Sequence, residues 1–296
     1  MPELPEVETI ARGLAKRVTG DVVESVWLGQ KKQTFKSPAS EIAVVLEQSR
    51  IAAVRRMGKH IVFDLKTDRV ARPVSHGKRS KAVGKGAAAA SGSVQAAKAQ
   101  WIVHLGMTGS LRVCEPQTEV AKHTHAILRL ASGRELRFVD PRRFGRLSVA
   151  AAGDFTAAGL EPLDVDLDRF VPLFLGRKTP IKSALLNQKL LRGVGNIYAD
   201  ESLFRAGLRP RRRASTISRE QFGKLFVAVQ EVLKEAISLG GSSISDYVGA
   251  DGEEGFFQLQ HRVYGREDEP CLVCETRIKR IVIAGRSSHY CPRCQK

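Results

Sequence analysis

The chain has 296 residues, 43% hydrophobic and 27% charged, which is enough for two or three domains with cores of their own. Its 48 Lys and Arg against 31 Asp and Glu leave a net charge of +17 and a pI near 10.0, a surplus that points to a polyanionic partner, nucleic acid first among them. No membrane-length apolar run and no signal-type segment is present, so a membrane or secreted protein is disfavoured and the cytoplasm expected; five cysteines there do not read as disulfides.

The chain starts Met1-Pro2-Glu3-Leu4-Pro5-Glu6-Val7-Glu8, two prolines and three carboxylates in eight residues. A small residue follows Met1, so an aminopeptidase should remove the methionine and leave Pro2 with a free secondary amine. Such an amine titrates at about pH 8, is partly unprotonated at neutrality and can form a Schiff base with a carbonyl-like carbon. Pro5 suits the first position of a helix, and apolar Val7, Ile10, Ala11, Leu14 and Val18 recur at helix spacing. A nucleophile beside acids would thus sit on a rigid platform. Taken alone, a Met-Pro start followed by acids also fits an ordinary helix N-terminus.

Val22 to Leu28 reads as a strand and Ser40 to Gln48 as a short helix. Strand-like runs follow at 51–55, 60–65, 101–105, 126–130, 135–139 and 146–149, separated by Gly, Ser and charged turns. This half is expected to be a β-sandwich or barrel with one terminal helix. Residues Arg69 to Ala99 break the pattern: no acid, no aromatic, seven Lys or Arg and a run of alanines. They read as a disordered basic insertion between two strands.

From about Ala150 the pattern turns helical. Ser218-Arg219-Glu220-Gln221 is a capping box, followed by Phe222, Leu225, Phe226, Val229, Leu233 and Ala236 at helix spacing and then Gly240-Gly241. Before it, Gly193-Val194-Gly195 turns into a helix with Asn196 as the expected N-cap. A glycine turn at a helix N-terminus presents free N–H groups to a phosphate, and Lys182, Lys189 and Arg192 lie close in sequence.

Cys271-x2-Cys274, sixteen residues, then Cys291-x2-Cys294 supplies four thiolates for one tetrahedral zinc. Four thiolates leave no position for water, so the site should be structural and should hold a β-hairpin too small for its own core. The residues between the pairs include Arg277, Lys279, Arg280 and Arg286, so the finger presents cations. Cys114 reads as a lone thiol. Two loops of the β half, Leu105 to Gly109 with Met107 and Asp140 to Gly145 with Arg142 and Phe144, carry residues of the kind that wedge into a duplex, although each could equally pack inward.

Together, MPELPEVET, Met57 to Lys59, His104 to Gly109, DPRRFG, Gly193 to Phe204 and the four-cysteine end resemble one family, the bacterial formamidopyrimidine-DNA glycosylases, in order and over all but the basic insertion. The resemblance implies an α+β multidomain fold: an N-terminal catalytic helix with a β-sandwich over 1–150 (69–99 inserted), a helix–two-turns–helix domain over 151–265 and a zinc-finger hairpin over 266–296. It implies a glycosylase and AP lyase that flips oxidised purines out of double-stranded DNA and cuts the strand by β,δ-elimination, acting as a monomer and needing no membrane. Pro2 would be the nucleophile, Glu3 the acid that opens the sugar ring, Glu6 a carboxylate at the lesion and Lys59 a backbone grip. Met107, Arg142 and Phe144 would fill the gap left by the lesion. Lys182 and Asn196 would touch phosphates, as would Arg286 of the finger, and Ser242 to Gln258 would cover the extruded base. Two other readings stand beside this one: an endonuclease VIII-like enzyme for oxidised pyrimidines, and a non-enzymatic zinc-ribbon DNA binder.

Overall fold

The structure is a computed structural model and describes residues 1–67, 97–242 and 255–296. The basic insertion therefore lies outside the described residues up to position 96, as does most of the expected cover at 243–254. The insertion's end is corrected: residues 97–99 are already strand, with Ala97, Lys98 and Ala99 opposite Thr67, Lys66 and Leu65.

Helix α1 (Leu4–Val18) begins one residue earlier than expected. The reason is the Glu6 carboxylate, whose Oε2 accepts the Glu3 backbone N–H at 2.8 Å and so fixes Glu3 as the N-cap. Strand β1 (Val23–Leu28) and helix α2 (Ala39–Leu46) lead into β2 (Arg50–Met57), β3 (His60–Thr67), β4 (Ala97–His104), β5 (Ser110–Cys114), β6 (Thr124–Leu130), β7 (Glu135–Val139) and β8 (Arg146–Ala151). They form two antiparallel sheets of four, ordered β1-β6-β7-β5 and β2-β3-β4-β8. β5 is absent from the sequence reading. Its five residues follow the glycines of the Met107 loop directly, and only Leu111 and Val113 mark its buried face.

Between the sheets lies the first core, built from Ile61, Phe63, Trp101, Val103, Leu128, Leu136 and Phe138 with Val7, Ile10, Leu14 and Val18 of α1. The second core belongs to the helices α3 (Leu167–Phe170), α4 (Ile181–Leu185), α5 (Asn196–Arg205) and α6 (Arg219–Ser238), the last capped by Ser218 and Gln221 as its sequence predicts. Leu4 joins this second core although it opens α1. Helix α1 is thus rooted in both cores, and its first residues stand at the seam between them.

Strands β9 (Lys279–Ile283) and β10 (Arg286–Tyr290) pair in a hairpin whose turn uses Ala284 and Gly285 at φ 47° and 75°. A small third core of Phe204, Val263, Ile278 and the cysteines lies beneath it.

Candidate active site and metal centre

The seam holds a cleft of about 520 Å³ lined by Pro2, Glu3, Glu6, Lys59, Met107, Asn196, Ser242, Tyr264 and Arg286. These residues come from seven separate stretches of sequence.

Glu3 is 4% exposed, and its Oε1 accepts the Ile197 N–H at the start of α5. Burial pushes its carboxyl up to about 7, with Glu6 adding to the rise and Lys59 and the backbone N–H groups pulling against it. The turn before α5 is shaped by this contact. A Cβ at Gly195 would lie 2.1 Å from the Glu3 carboxyl carbon, and one at Gly193 (φ +91°) would lie 2.7 Å from Leu4 Cδ1. The Leu4 N–H also bonds Gly193 O at 3.0 Å. Asn196 is therefore not the N-cap. Gly195 holds that place because only a glycine lets the turn close on Glu3, and Asn196 is the first helical residue.

Lys59 follows Gly58 (φ +58°) in the turn between β2 and β3, and burial draws its ammonium below the ordinary lysine range while Glu3 and Glu6 hold it up. Glu161 braces that turn: it accepts the Gly58 N–H at 2.7 Å, Arg56 at 2.8 Å and Arg192 Nε at 3.0 Å. Arg56 in turn reaches Glu8 of α1 at 2.7 Å. Glu161 is absent from the sequence reading because its partners lie 31 to 105 residues away.

Glu6 lines the cleft, but its oxygens already accept from groups of the protein itself. Besides capping Glu3, it accepts the Ser242 N–H at 2.8 Å and the Tyr198 hydroxyl. Its place here is that of a tether between α1, α5 and the end of α6.

Met107 and Phe144 are 42% and 48% exposed, so both point outward and not into the core. The Arg142 guanidinium lies over the Phe144 ring, 5.1 Å from its centre. Buried Asp140 ties the two loops together by accepting Thr108 Oγ1 at 2.6 Å and the Gly145 N–H at 2.7 Å, and His104 Nδ1 accepts the Gly106 N–H at 3.0 Å. Exposed apolar tips thus stand on a stiff base.

Lys182 departs from expectation. It is 1% exposed and lies 2.7 Å from Asp200 Oδ1, so it has no open face to offer a phosphate. Asn196 directs its Nδ2 to Ser287 Oγ at 3.2 Å, also an internal bond. Arg286, by contrast, is exposed and lines the cleft from the hairpin tip.

The Sγ atoms of Cys271, Cys274, Cys291 and Cys294 all lie within 4.8 Å of one another, with Cys271 to Cys294 at 3.9 Å and Cys274 to Cys291 at 3.4 Å. A tetrahedron with zinc–sulfur bonds of about 2.3 Å requires sulfurs roughly 3.8 Å apart. The four thiolates fit one structural zinc. Cys114 stands apart, with only Glu135 O at 3.8 Å from its sulfur.

Three family descriptions match the chain in order. The formamidopyrimidine-DNA glycosylase N-terminal domain matches residues 1–147, the formamidopyrimidine-DNA glycosylase H2TH domain 159–248, and the zinc finger found in FPG and IleRS 268–296. The formamidopyrimidine-DNA glycosylase of Solibacter usitatus is 42% identical over 298 residues, covering all of both chains. That of Listeria monocytogenes is 36% identical over 304 residues with the same full coverage. Among solved structures, the MutM (Fpg) protein of Thermus thermophilus superposes with a TM-score of 0.80 at 38% identity, over 99% of this chain and 98% of that one. A Lactococcus lactis Fpg in complex with DNA containing N7-benzyl-Fapy-dG gives 0.83 at 28% identity with full coverage of both. A MutM complex with DNA containing carbocyclic 8-oxo-G gives 0.83 at 29%, again with full coverage.

Proposed function

Because the chain belongs to the formamidopyrimidine-DNA glycosylase family, enzymes that remove damaged bases and cut at abasic sites, we propose that it excises oxidised purines such as 8-oxoguanine and formamidopyrimidines from duplex DNA. The substrate's place, and so the enzyme's place of work, is the nucleoid. Among the described residues no helix is long and apolar enough to cross a membrane. One copy of the chain carries every residue of the proposed site, in keeping with a monomer.

The observation that carries this reading is the protonatable Glu3 in a cleft that Pro2, Lys59 and Arg286 also line. A base inside a duplex is out of reach, and turning it out costs a few kcal/mol. Met107 and Phe144 offset that cost by filling the vacated space, with Arg142 meeting the orphaned base. Arg286 and Lys59 hold the phosphates flanking the lesion. Pro2, freed of Met1, attacks C1′ of the sugar through its nitrogen lone pair. The glycosidic bond breaks, and the base leaves with the bonding electrons and takes up a proton. Glu3 protonates the ring oxygen, the sugar opens, and the C1′–N bond becomes an iminium. The iminium acidifies the C2′ hydrogen, so the 3′ phosphate leaves by β-elimination and the 5′ phosphate by δ-elimination. Zinc takes no part in these steps and holds the finger in shape.

The test is to incubate the protein with duplexes carrying 8-oxoguanine or an oxidised pyrimidine, and reduce with borohydride. A covalent adduct on the purine duplex is expected, about tenfold or more over the pyrimidine. Absence of any adduct would refute the enzyme reading, and a preference for the pyrimidine would move the chain to the endonuclease VIII type. Stripping zinc with a chelator should release the hairpin and with it Arg286, and lower affinity for lesion DNA by at least about tenfold. Unchanged binding by a verified zinc-free protein would show that the finger contributes nothing to the complex.

A further inference from the structure

The lysine of α4 that was expected at a phosphate is instead one half of a buried ion pair. Lys182 and Asp200 are 1% and 0% exposed, with Nζ and Oδ1 2.7 Å apart. Both also grip β10. Lys182 Nζ donates to the Ser287 backbone oxygen at 2.5 Å, and Asp200 Oδ2 accepts the His289 N–H at 2.9 Å. Asn196 adds a bond to the Ser287 hydroxyl. Alternate residues of one finger strand are therefore held from α4 and α5.

The residue next to Ser287 is Arg286, the finger's exposed cation in the cleft. The cysteines flank the other end of the hairpin: Cys291 follows Tyr290, which pairs with Lys279 at the base, whereas Arg286 pairs with Ile283 beside the turn. Zinc thus anchors the base of the hairpin, and the ion pair grips it beside the tip. Burying two charges costs several kcal/mol per ion before their attraction is counted, and an apolar pair of similar size would often serve stability as well or better. What an apolar pair would not supply is a directed hold on two backbone groups of β10.

We propose that Lys182 and Asp200 are positioning residues that clamp β10 so that Arg286 stands over the cleft. The clamp rests on the reading of Arg286 as a contact to the phosphates at the lesion. It acts through the main chain of Ser287 and His289 and touches no substrate.

A double-mutant cycle on the full-length, zinc-loaded protein tests this. Lys182→Met/Asp200→Leu removes the clamp without leaving a lone buried charge. Binding is measured to a duplex with a tetrahydrofuran abasic analogue, with and without Arg286→Ala, and zinc content is checked in all four proteins. With the clamp intact, Arg286→Ala should weaken binding about tenfold; without it, less than about twofold. A merely structural role for the pair would lower the melting temperature and leave the cost of Arg286→Ala the same in both backgrounds, and that result overturns the clamp. No loss on Arg286→Ala in the otherwise unchanged chain would overturn both the clamp and the reading of Arg286, which separates the two failures. If the first variant does not fold, Lys182→Met/Asp200→Asn, which keeps an acceptor for the His289 N–H and removes the lysine's hold on Ser287, carries the same cycle to the same two outcomes.

Discussion

A chain that keeps Met1, or carries any residue ahead of Pro2, should bind lesion-containing duplex within about threefold of the processed protein and turn over at least about a thousandfold more slowly. The reason is the state of one nitrogen. With Met1 in place, the Pro2 nitrogen is a tertiary amide whose lone pair is delocalised into the carbonyl, and it neither titrates nor attacks. Freed, it becomes a secondary amine with a pKa of about 8. The binding groups are independent of this change: Arg286 comes from the hairpin, Lys59 from the β2–β3 turn, and Met107, Arg142 and Phe144 from loops braced by Asp140. Met1 is 52% exposed, so an aminopeptidase can reach it. The measurement is single-turnover cleavage of an 8-oxoguanine duplex by two preparations whose N-termini are verified by mass spectrometry. Equal rates would refute Pro2 as nucleophile. Lys59 would then be the next amine to examine, since burial draws its ammonium below the ordinary range.

Local signals announced the local parts of this arrangement. The period of Val7, Ile10, Leu14 and Val18 fixes the buried face of α1, Ser218 with Gln221 fixes the start of α6, and two CxxC pairs fix the zinc ligands, because each rests on contacts within a few residues. What escaped the sequence depends on partners far along the chain. Glu161 carries no local signal and gains its place only when Gly58, 103 residues away, docks on it; Ser242 is expected only as part of the cover, and its bond to Glu6 spans 236 residues. Lys182 shows the converse case, a side chain whose burial the sequence does not announce. A lysine before a glycine turn suggests a phosphate ligand, and nothing local reveals that Asp200, one helix later, will bury it. Asn196 failed as an N-cap for a steric reason on a different element, the Glu3 carboxylate pressed against Gly195. The residue types that line the cleft stand in the sequence; the bracing that aims them does not, because it is made by tertiary contacts.

The remaining large effect concerns Glu3. Glu3→Gln should lower the rate of base removal by about 10² to 10⁴ and remove the alkaline limb of its pH profile. Glu3 must be protonated to serve as acid, and burial raises its carboxyl to about 7, so its working form is lost as pH climbs through neutrality. The Pro2 amine must be unprotonated and gains its working form toward about pH 8. The two requirements give a bell with its summit between these values, and the variant should show only the rising limb. Stability carries an independent sign. A carboxyl raised from 4.5 to about 7 on folding contributes stability that is full below 4.5 and lost as pH rises through 7. Relative to the glutamine variant, the natural chain should therefore lose melting temperature progressively between pH 4.5 and 7 and hold that deficit above. The ceiling is about 3 kcal/mol, reduced by the support that the buried Lys59 loses when the neighbouring carboxylate becomes an amide. A variant whose rate profile keeps its alkaline limb would assign that limb to another group, and a melting-temperature difference flat from pH 4 to 8 would show that folding leaves the Glu3 carboxyl at its ordinary value.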